Sequence, residues 1–350
     1  MIGYRKYEMI EEKGKGRRSM KPYVFVTRKI SEEALRPLRE IADIKVWPED
    51  EVPVSREVLL DEASRASALF TMVSDPINKE LFDLAPNLQV VANMAVGFDN
   101  INVEEATQRG IIVCHTPDVL TDTTADLTFA LLMATARRLV EASNYIKEGQ
   151  WKEWSPLLLA GYDIHHKKIG IIGMGRIGEA VAKRATGFDM EILYHNRTRK
   201  PEAEKALNAK YVSFDEVIED CDFVVSMVPY TNETKGIFNE GVFKAMKKTA
   251  IFINASRGGV VNEEALYQAL QYKEIAAAGL DVFSKEPIGA EHPLLTLPNV
   301  VALPHIGSAS YETRGAMVEM TVENIIRVLQ GTEPLAVVNK EVLSSTAREK

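Results

Sequence analysis

The chain has 350 residues, too many for one ordinary core and suited to two domains. Apolar residues make up 46% and charged residues 26%, the balance of an ordinary soluble globular protein. A formal net charge of −8 argues against a general nucleic-acid binder, whose footprint is basic, but leaves room for a local positive site that takes a small anion.

Residues 1–20 are charged, with Lys13, Lys15, Arg17 and Arg18 clustered beside glycines, and have no apolar core. They make no secretory signal and read as a disordered tail, with Met20 an alternative start. Order is expected from Pro22–Thr27, a β-rich run, followed by a helix over Ser31–Ala42. Short strands follow at Ile44–Trp47, Ala68–Met72, Gln89–Ala92 and Ile111–Cys114, the pattern of parallel strands with crossover helices. Asp122 to Gly149 reads as one long helix, capped by Thr121 or Asp122, with Leu127, Leu131, Leu132, Ala136 and Leu139 in helical period. Gln150 to Lys168 reads as an ordered arm whose Trp151 and Trp154 serve packing or dimer contacts.

Six further strands are expected at Ile169–Gly173, Glu191–His195, Phe223–Met227, Ala250–Asn254, Ala276–Asp281 and Val300–Leu303, enough for a dinucleotide-binding sheet. A last helix, Ala309–Gln330, stops at Gly331 and Pro334 and returns to the first domain. No apolar stretch reaches the ~20 residues of a membrane span. Cys114 and Cys221 adjoin apolar runs and read as buried structural thiols, in keeping with a reducing cytosol. His115, His195 and His292 give no metal spacing, and His165 and His166 read as surface turn residues.

Gly173-Met174-Gly175-Arg176-Ile177-Gly178 follows the strand Lys168–Ile172 and opens a helix. In that setting Gly173 makes the tight turn, Gly175 admits a pyrophosphate to the backbone, and Gly178 lets helix and strand pack closely. The helix N-terminus adds free N–H groups and partial positive charge. An acid that binds the adenosine ribose is expected ~20 residues on. The chain instead reads His195-Asn196-Arg197-Thr198-Arg199-Lys200. A carboxylate there repels a 2′-phosphate, whereas Arg197 pairs with it and Asn196 and Thr198 add hydrogen bonds. NADP(H) is therefore the preferred cofactor, with NAD(H) admissible. The bland alternative is a solvated basic turn.

Three later segments each end a strand: Asn254-Ala255-Ser256-Arg257-Gly258-Gly259, Asp281-Val282-Phe283-Ser284-Lys285-Glu286, and Pro304-His305-Ile306-Gly307-Ser308. The carboxyl ends of parallel strands face the ligand crevice, so Arg257, Asp281, Glu286 and His305 converge there. The set suits reduction of a 2-oxo acid. Protonated His305 supplies a proton to the carbonyl oxygen, Glu286 holds His305 and favours its charged form, and Arg257 binds the substrate carboxylate and polarises the carbonyl. Val228 and Pro229 end the third strand of this sheet and border the adenosine.

In these settings Arg257, Glu286 and His305 resemble the D-isomer-specific 2-hydroxyacid dehydrogenase family, over nearly the whole chain from Lys21 to Val338. The resemblance implies an α/β fold of two doubly wound parallel-sheet domains with a cleft between them. A Rossmann coenzyme domain spans 119–305, and a flavodoxin-like substrate domain combines 21–118 with 306–340. It implies a homodimer, His305 as acid/base, and Asp281 as receiver of the nicotinamide carboxamide. Thr124 is implied on the nicotinamide side, and Ala255, Ser256, Ile306 and Gly307 join the expected cofactor contacts. The loop Met94-Ala95-Val96-Gly97 is implied to grip the substrate carboxylate through the amides of Val96 and Gly97; its glycine turn can expose successive N–H groups.

That loop is small and uncharged, and with the basic turn it resembles the glyoxylate and hydroxypyruvate reductases of the family, archaeal ones in particular. It lacks the lysine that phosphite dehydrogenases carry nearby. The end at Lys350 is expected to leave no regulatory domain of the phosphoglycerate dehydrogenase kind. Asn102 stands where many members have aspartate and Asp126 where many have glutamate; neither touches the triad. The remaining alternatives are a D-lactate or D-3-phosphoglycerate type enzyme of the same fold, and a nucleotide-sensing corepressor-like protein.

Overall fold

The computed structural model describes residues 21–346, so the proposed tail over 1–20 lies outside the described residues. Two compact units appear, one built from residues before and after the other in the chain.

The first unit takes residues up to Leu120 and from Tyr311 onward. Its five strands are β1 (Tyr23–Val26), β2 (Asp43–Val46), β3 (Ala68–Thr71), β4 (Val90–Asn93) and β5 (Ile112–Cys114). All pair in parallel, in the order β2-β1-β3-β4-β5, the flavodoxin-like winding. β3, β4 and β5 are buried at every residue, because helices cover both faces of a parallel sheet. The crossover helices start where sequence chemistry says they should. Ser31, Ser55, Asn78 and Asn102 each accept a bond from the amide three residues on, filling one of the orphan donors of a helix start. The helix Tyr311–Leu329 returns to this sheet as expected, packing on β3, β4 and β5. Buried Asn324 on it accepts from the amides of Leu335 and Ala336, and Asn339 accepts from Val113 N and donates to Ile111 O. These bonds seal the chain's closing segment against the sheet edge.

The second unit spans Thr121–Ser310. Its strands are β6 (Lys168–Ile172), β7 (Glu191–His195), β8 (Lys210–Tyr211), β9 (Phe223–Ser226), β10 (Ile251–Asn254), β11 (Ala277–Leu280) and β12 (Val300–Ala302). The order β12-β11-β10-β9-β6-β7-β8 contains the Rossmann 3-2-1-4-5-6 winding with one further strand, and the direction reverses between β6 and β9. The six expected strands are present. β8 is an addition, two exposed residues with no apolar alternation to announce them.

The single long helix expected over 122–149 is two helices, Thr121–Ala136 and Leu139–Lys147. Arg138 between them has φ +53°. The arm explains the break: Tyr162 N donates to the Ala136 carbonyl at 2.9 Å, taking an acceptor that a continuing helix would need for itself. The helix Thr121–Ala136 is buried through Ala125, Phe129, Leu131 and Leu132 and packs on β10, β11 and the helix Arg176–Thr186. Among the described residues no helix is long and apolar enough to cross a membrane.

Candidate active site

The three loop glycines are separated by what surrounds them. Gly173 has φ +102°, and a Cβ there would lie 2.7 Å from the Met227 carbonyl at the end of β9. A Cβ on Gly178 would lie 2.3 Å from the Gly173 carbonyl oxygen. A Cβ on Gly175 would meet nothing within 4 Å. So Gly173 and Gly178 are required by the protein's own packing, whereas Gly175 faces open space. Gly175 is also the N-cap of the helix Arg176–Thr186 and supplies no side-chain acceptor to the helix start, whose N–H groups and partial positive charge favour an anion. Met174 is fully buried, leaving only its backbone to a ligand; Arg176 is exposed and Ile177 half-buried.

The strand-end turn divides its cations. The Arg199 guanidinium is held in a fork by both Glu204 oxygens, each at 2.7 Å. Lys200 Nζ lies 3.7 Å from Glu179. Arg197 is exposed, and the Glu233 carboxyl after β9, held down chiefly by Thr231 and its own amide, also feels the Arg197 charge. Asn196 donates to the Thr198 carbonyl at 3.1 Å, Thr198 is exposed, Val228 is half-buried and Pro229 exposed. Of the three cations in this turn, Arg197 is the one presented outward without a carboxylate clasp among the described residues.

Asn254, buried at the end of β10, folds the next turn. Its Oδ1 accepts from Ser256 N and Oγ, and its Nδ2 donates to the Arg257 carbonyl at 2.9 Å. Ser256 also meets Ser226 Oγ at 3.2 Å, while Ala255 is half-buried beside it. Arg257 is thereby extended from a fixed turn, with its guanidinium donating to the Ser256 carbonyl. Gly258 follows because a Cβ there would lie 1.7 Å from the Phe283 carbonyl carbon. The Arg257 turn and the Glu286 loop are thus in backbone contact.

His305 Nδ1 and Glu286 Oε2 are 2.7 Å apart, with 31% and 34% of the side chains exposed. The other oxygen, Oε1, accepts from Phe283 N at 2.9 Å. Burial pushes the Glu286 carboxyl up. The bond from His305, that residue's charge, the Phe283 amide and the Arg257 charge outweigh it, so the carboxyl sits below its usual range. With Nδ1 committed to Glu286, His305 has Nε2 left for chemistry.

Asp281 organises the third segment. Its carbonyl accepts from His305 N and its Oδ1 from Ile306 N, both at 2.8 Å. These bonds hold His305 at φ +53°, a conformation that non-glycine residues rarely adopt. The other oxygen, Oδ2, is buried without a hydrogen-bond partner among the described residues. Burial pushes this carboxyl up against the pull of the Ile306 amide, the His305 charge and the Gly307 amide. A Cβ on Gly307 would lie 3.2 Å from both Asp281 Oδ2 and Thr124 Cγ2, which places Thr124, Asp281 and Gly307 in one small space. An unsatisfied buried carboxylate oxygen, open space over Gly175 and an uncapped helix start together fit a bound nicotinamide dinucleotide.

Sequence reasoning missed three contributors: the Asn254 side chain, the Phe283 amide and the Gly258 close approach. The run Asn254-Ala255-Ser256-Arg257-Gly258-Gly259 held the signal for two of them, a buried polar residue ending an apolar strand and a glycine pair after the arginine.

In the first unit, Ala95-Val96-Gly97 follows β4. Its carbonyls are engaged: Thr116 N donates to Ala95 O at 2.8 Å, His115 Nδ1 to Val96 O at 3.0 Å, and Asn93 Nδ2 to Gly97 O at 3.0 Å. The loop is therefore fixed from its acceptor side.

Residues 129–307 match the family described as D-isomer specific 2-hydroxyacid dehydrogenase, NAD binding domain. The chain is 51% identical over 329 residues to glyoxylate reductase of Thermococcus onnurineus and 50% identical over 325 residues to that of Korarchaeum cryptofilum. Each alignment covers 93% of this chain and 98% of the relative. Among solved structures, a Thermus thermophilus protein superposes with a TM-score of 0.85 at 44% identity, covering 90% of this chain and 99% of its own. A Sinorhizobium meliloti glyoxylate/hydroxypyruvate reductase described as NADPH-dependent, solved with NADP and malonate, gives 0.78 at 34%, covering 91% and 97%. The chain belongs to the D-isomer specific 2-hydroxyacid dehydrogenase family, and its expected likeness to the glyoxylate reductases is borne out.

Proposed function

We propose that the protein reduces glyoxylate, and hydroxypyruvate with it, to the D-2-hydroxy acid, using NADPH in preference to NADH. The observation that carries this reading is the linked set Arg257, Glu286 and His305, with Glu286 anchored at one oxygen by Phe283 N and bonded at the other to His305. The relatives' names and the outward Arg197 support the substrate and the cofactor.

When bound, the reduced nicotinamide supplies a hydride to the carbonyl carbon. The remaining chemistry belongs to side chains. Arg257 pairs with the substrate carboxylate and draws charge onto the carbonyl oxygen. His305 gives its Nε2 proton to that oxygen as negative charge develops, and Glu286 keeps the ring turned with Nδ1 away from substrate. Asp281 Oδ2 and Thr124 receive the carboxamide, and the loop amides of Val96 and Gly97 bind the carboxylate. In this reading residues 119–305 bind coenzyme, and 21–118 with 306–340 bind substrate.

The absorbance of NADPH with glyoxylate, hydroxypyruvate and pyruvate is the direct test. No oxidation with any of them, or no loss of rate in His305→Ala, removes the proposal. Arg197→Ala is expected to raise the KM for NADPH at least about tenfold while changing NADH little, as for loss of a charge-assisted phosphate contact. Equal effects on both would reduce the turn to a solvated one.

We also propose a homodimer that uses the arm. Trp154 is 77% exposed and Leu157 82%, with Trp151 exposed beside them. A cavity of about 610 Å³ lined by Arg138, Tyr145, Tyr162 and Leu297 lies at the amino ends of β11 and β12, away from the triad. A sedimentation mass of one chain at micromolar concentration would refute it.

A further inference from the structure

The geometry points to Glu204 and Tyr194 as positioning residues for cofactor choice: together they lock the turn 196–200 so that Arg197 stands ready for an adenosine 2′-phosphate. This rests on the proposed NADP preference and adds to it a cause outside the phosphate contacts themselves.

The turn is pinned at both ends. At its start, β7 runs into it with Gly173 N donating to the His195 carbonyl at 3.0 Å, and Tyr211 Oη donates to the Asn196 carbonyl at 3.2 Å. At its end stands Tyr194, whose ring is fully buried within the sheet. Its hydroxyl accepts from Lys200 N and donates to Glu204 Oε1, both at 2.7 Å. Glu204 in turn takes Arg199 in a two-point fork. A buried ring that cannot move thus fixes the main chain at Lys200 and, through Glu204, the side chain at 199. Inside the turn Asn196 Nδ2 closes on the Thr198 carbonyl. Arg197 and Thr198, both exposed, make none of these bonds with their side chains, and the Lys200 ammonium points instead toward Glu179 at 3.7 Å.

The consequence runs against simple charge counting. Glu204 is a carboxylate on the helix that leaves the turn, and Arg199 with the Tyr194 hydroxyl holds it ionised, down to about 2. Coulomb repulsion alone makes such a charge an opponent of a phosphate dianion, so its removal should tighten NADPH. The bonding says otherwise. In Glu204→Gln one acceptor and the charge are lost, so the two-point fork to Arg199 is broken and Arg199 and Tyr194 compete for a single amide oxygen; the turn samples other shapes, and Arg197 must be ordered when the cofactor binds. Neutralising the acid should then weaken NADPH and leave NADH, which has no 2′-phosphate, nearly unchanged.

Cofactor affinity, read by fluorescence titration without substrate, separates these cases. Glu204→Gln and Tyr194→Phe are each expected to raise the Kd for NADPH about five- to tenfold, with NADH within about twofold, as for loss of preorganisation at a charge-assisted contact. The double variant should lose less than the product of the two single losses, because both cut the Tyr194–Glu204 link. Unchanged or tighter NADPH binding in Glu204→Gln overturns the inference, as does an equal loss for both cofactors in a variant that melts like the parent. If Glu204→Gln does not fold, Tyr194→Phe, which keeps the buried ring, carries the test. Arg197→Ala measured alongside tells the two claims apart. If it affects both cofactors equally, the NADP reading fails and the inference with it. If it is selective while Glu204→Gln and Tyr194→Phe are silent, the reading stands and the brace is refuted.

Discussion

Replacing Gly175 and Gly178 separately by alanine should divide one glycine motif into a binding role and a packing role. A methyl on Gly178 would lie 2.3 Å from the Gly173 oxygen and 3.3 Å from Ile171 Cγ2. The backbone must shift to admit it, and overpacking of that kind costs about 1–3 kcal/mol. In a unit of this size that lowers the melting temperature by about 3–10 °C. Gly175 has φ −85° and ψ −168°, values an alanine takes readily, and no atom within 4 Å of the new methyl. Alanine is a poorer N-cap than glycine by several tenths of a kcal/mol, but it loses less chain entropy on folding, by about 0.4–1 kcal/mol. The two effects nearly cancel, so Gly175→Ala should melt within about 3 °C of the parent. Its methyl does occupy the open space over the helix start. NADPH and NADH share the pyrophosphate, so both should bind at least about tenfold more weakly, a loss of about 1.4 kcal/mol. Calorimetric melts and fluorescence titration of the two variants supply the comparison. If Gly175→Ala binds both cofactors as the parent does, or melts as low as Gly178→Ala, the assignment of the open space to the phosphates is wrong.

Glu286→Gln should keep NADPH affinity and reduce kcat about a hundredfold, the lower end of the range for acid–base groups, measured by steady-state kinetics. The Glu286 carboxyl is held below its ordinary value, so its stabilising contribution is present above about pH 4.3 and is lost as pH falls through the lowered value. The melting-temperature gap between parent and Glu286→Gln should accordingly close in acid, and a gap constant with pH would contradict the pairing. Gly258→Ala should impair both folding and turnover, since its methyl would meet the Phe283 backbone at 1.7 Å and displace the loop that carries Glu286; wild-type kinetics would refute that coupling. Burial pushes both Cys114 and Cys221 up to about 12. Neither should react with a thiol reagent at mildly alkaline pH until the protein is unfolded, and rapid labelling of the native protein would show the burial to be incomplete.

Legibility followed the kind of signal each element carries. β6 and the glycine loop were readable because an apolar run, fixed glycine spacing and a helical period all agree locally. The placement of Arg257, Glu286 and His305 at one edge was readable because each lies in a segment that follows a strand, and strand ends share one edge of a parallel sheet. β8 was not readable: Lys210 and Tyr211 are exposed and pair on one edge only, so neither burial nor alternation marks them. The break at Arg138 was hidden for a different reason. No glycine or proline stands there, and the acceptor that ends the helix is taken by Tyr162, far along the chain. The basic turn looked like three equivalent cations, because a sequence shows charges without their partners; the Arg199–Glu204 clasp depends on how the turn folds back onto the next helix.

Asp281 is asked for two tasks at once. One oxygen and its own carbonyl seat the segment that presents His305, while the second oxygen faces inward without a partner among the described residues. Under the proposed function, in which Asp281 receives the carboxamide, occupancy at that second oxygen and the posture of His305 are thermodynamically linked, and the linkage is reciprocal. A graft of this chemistry onto another scaffold would thus have to carry the three strand-end loops as one block, because moving His305 with Glu286 alone would leave behind the residue that sets its backbone.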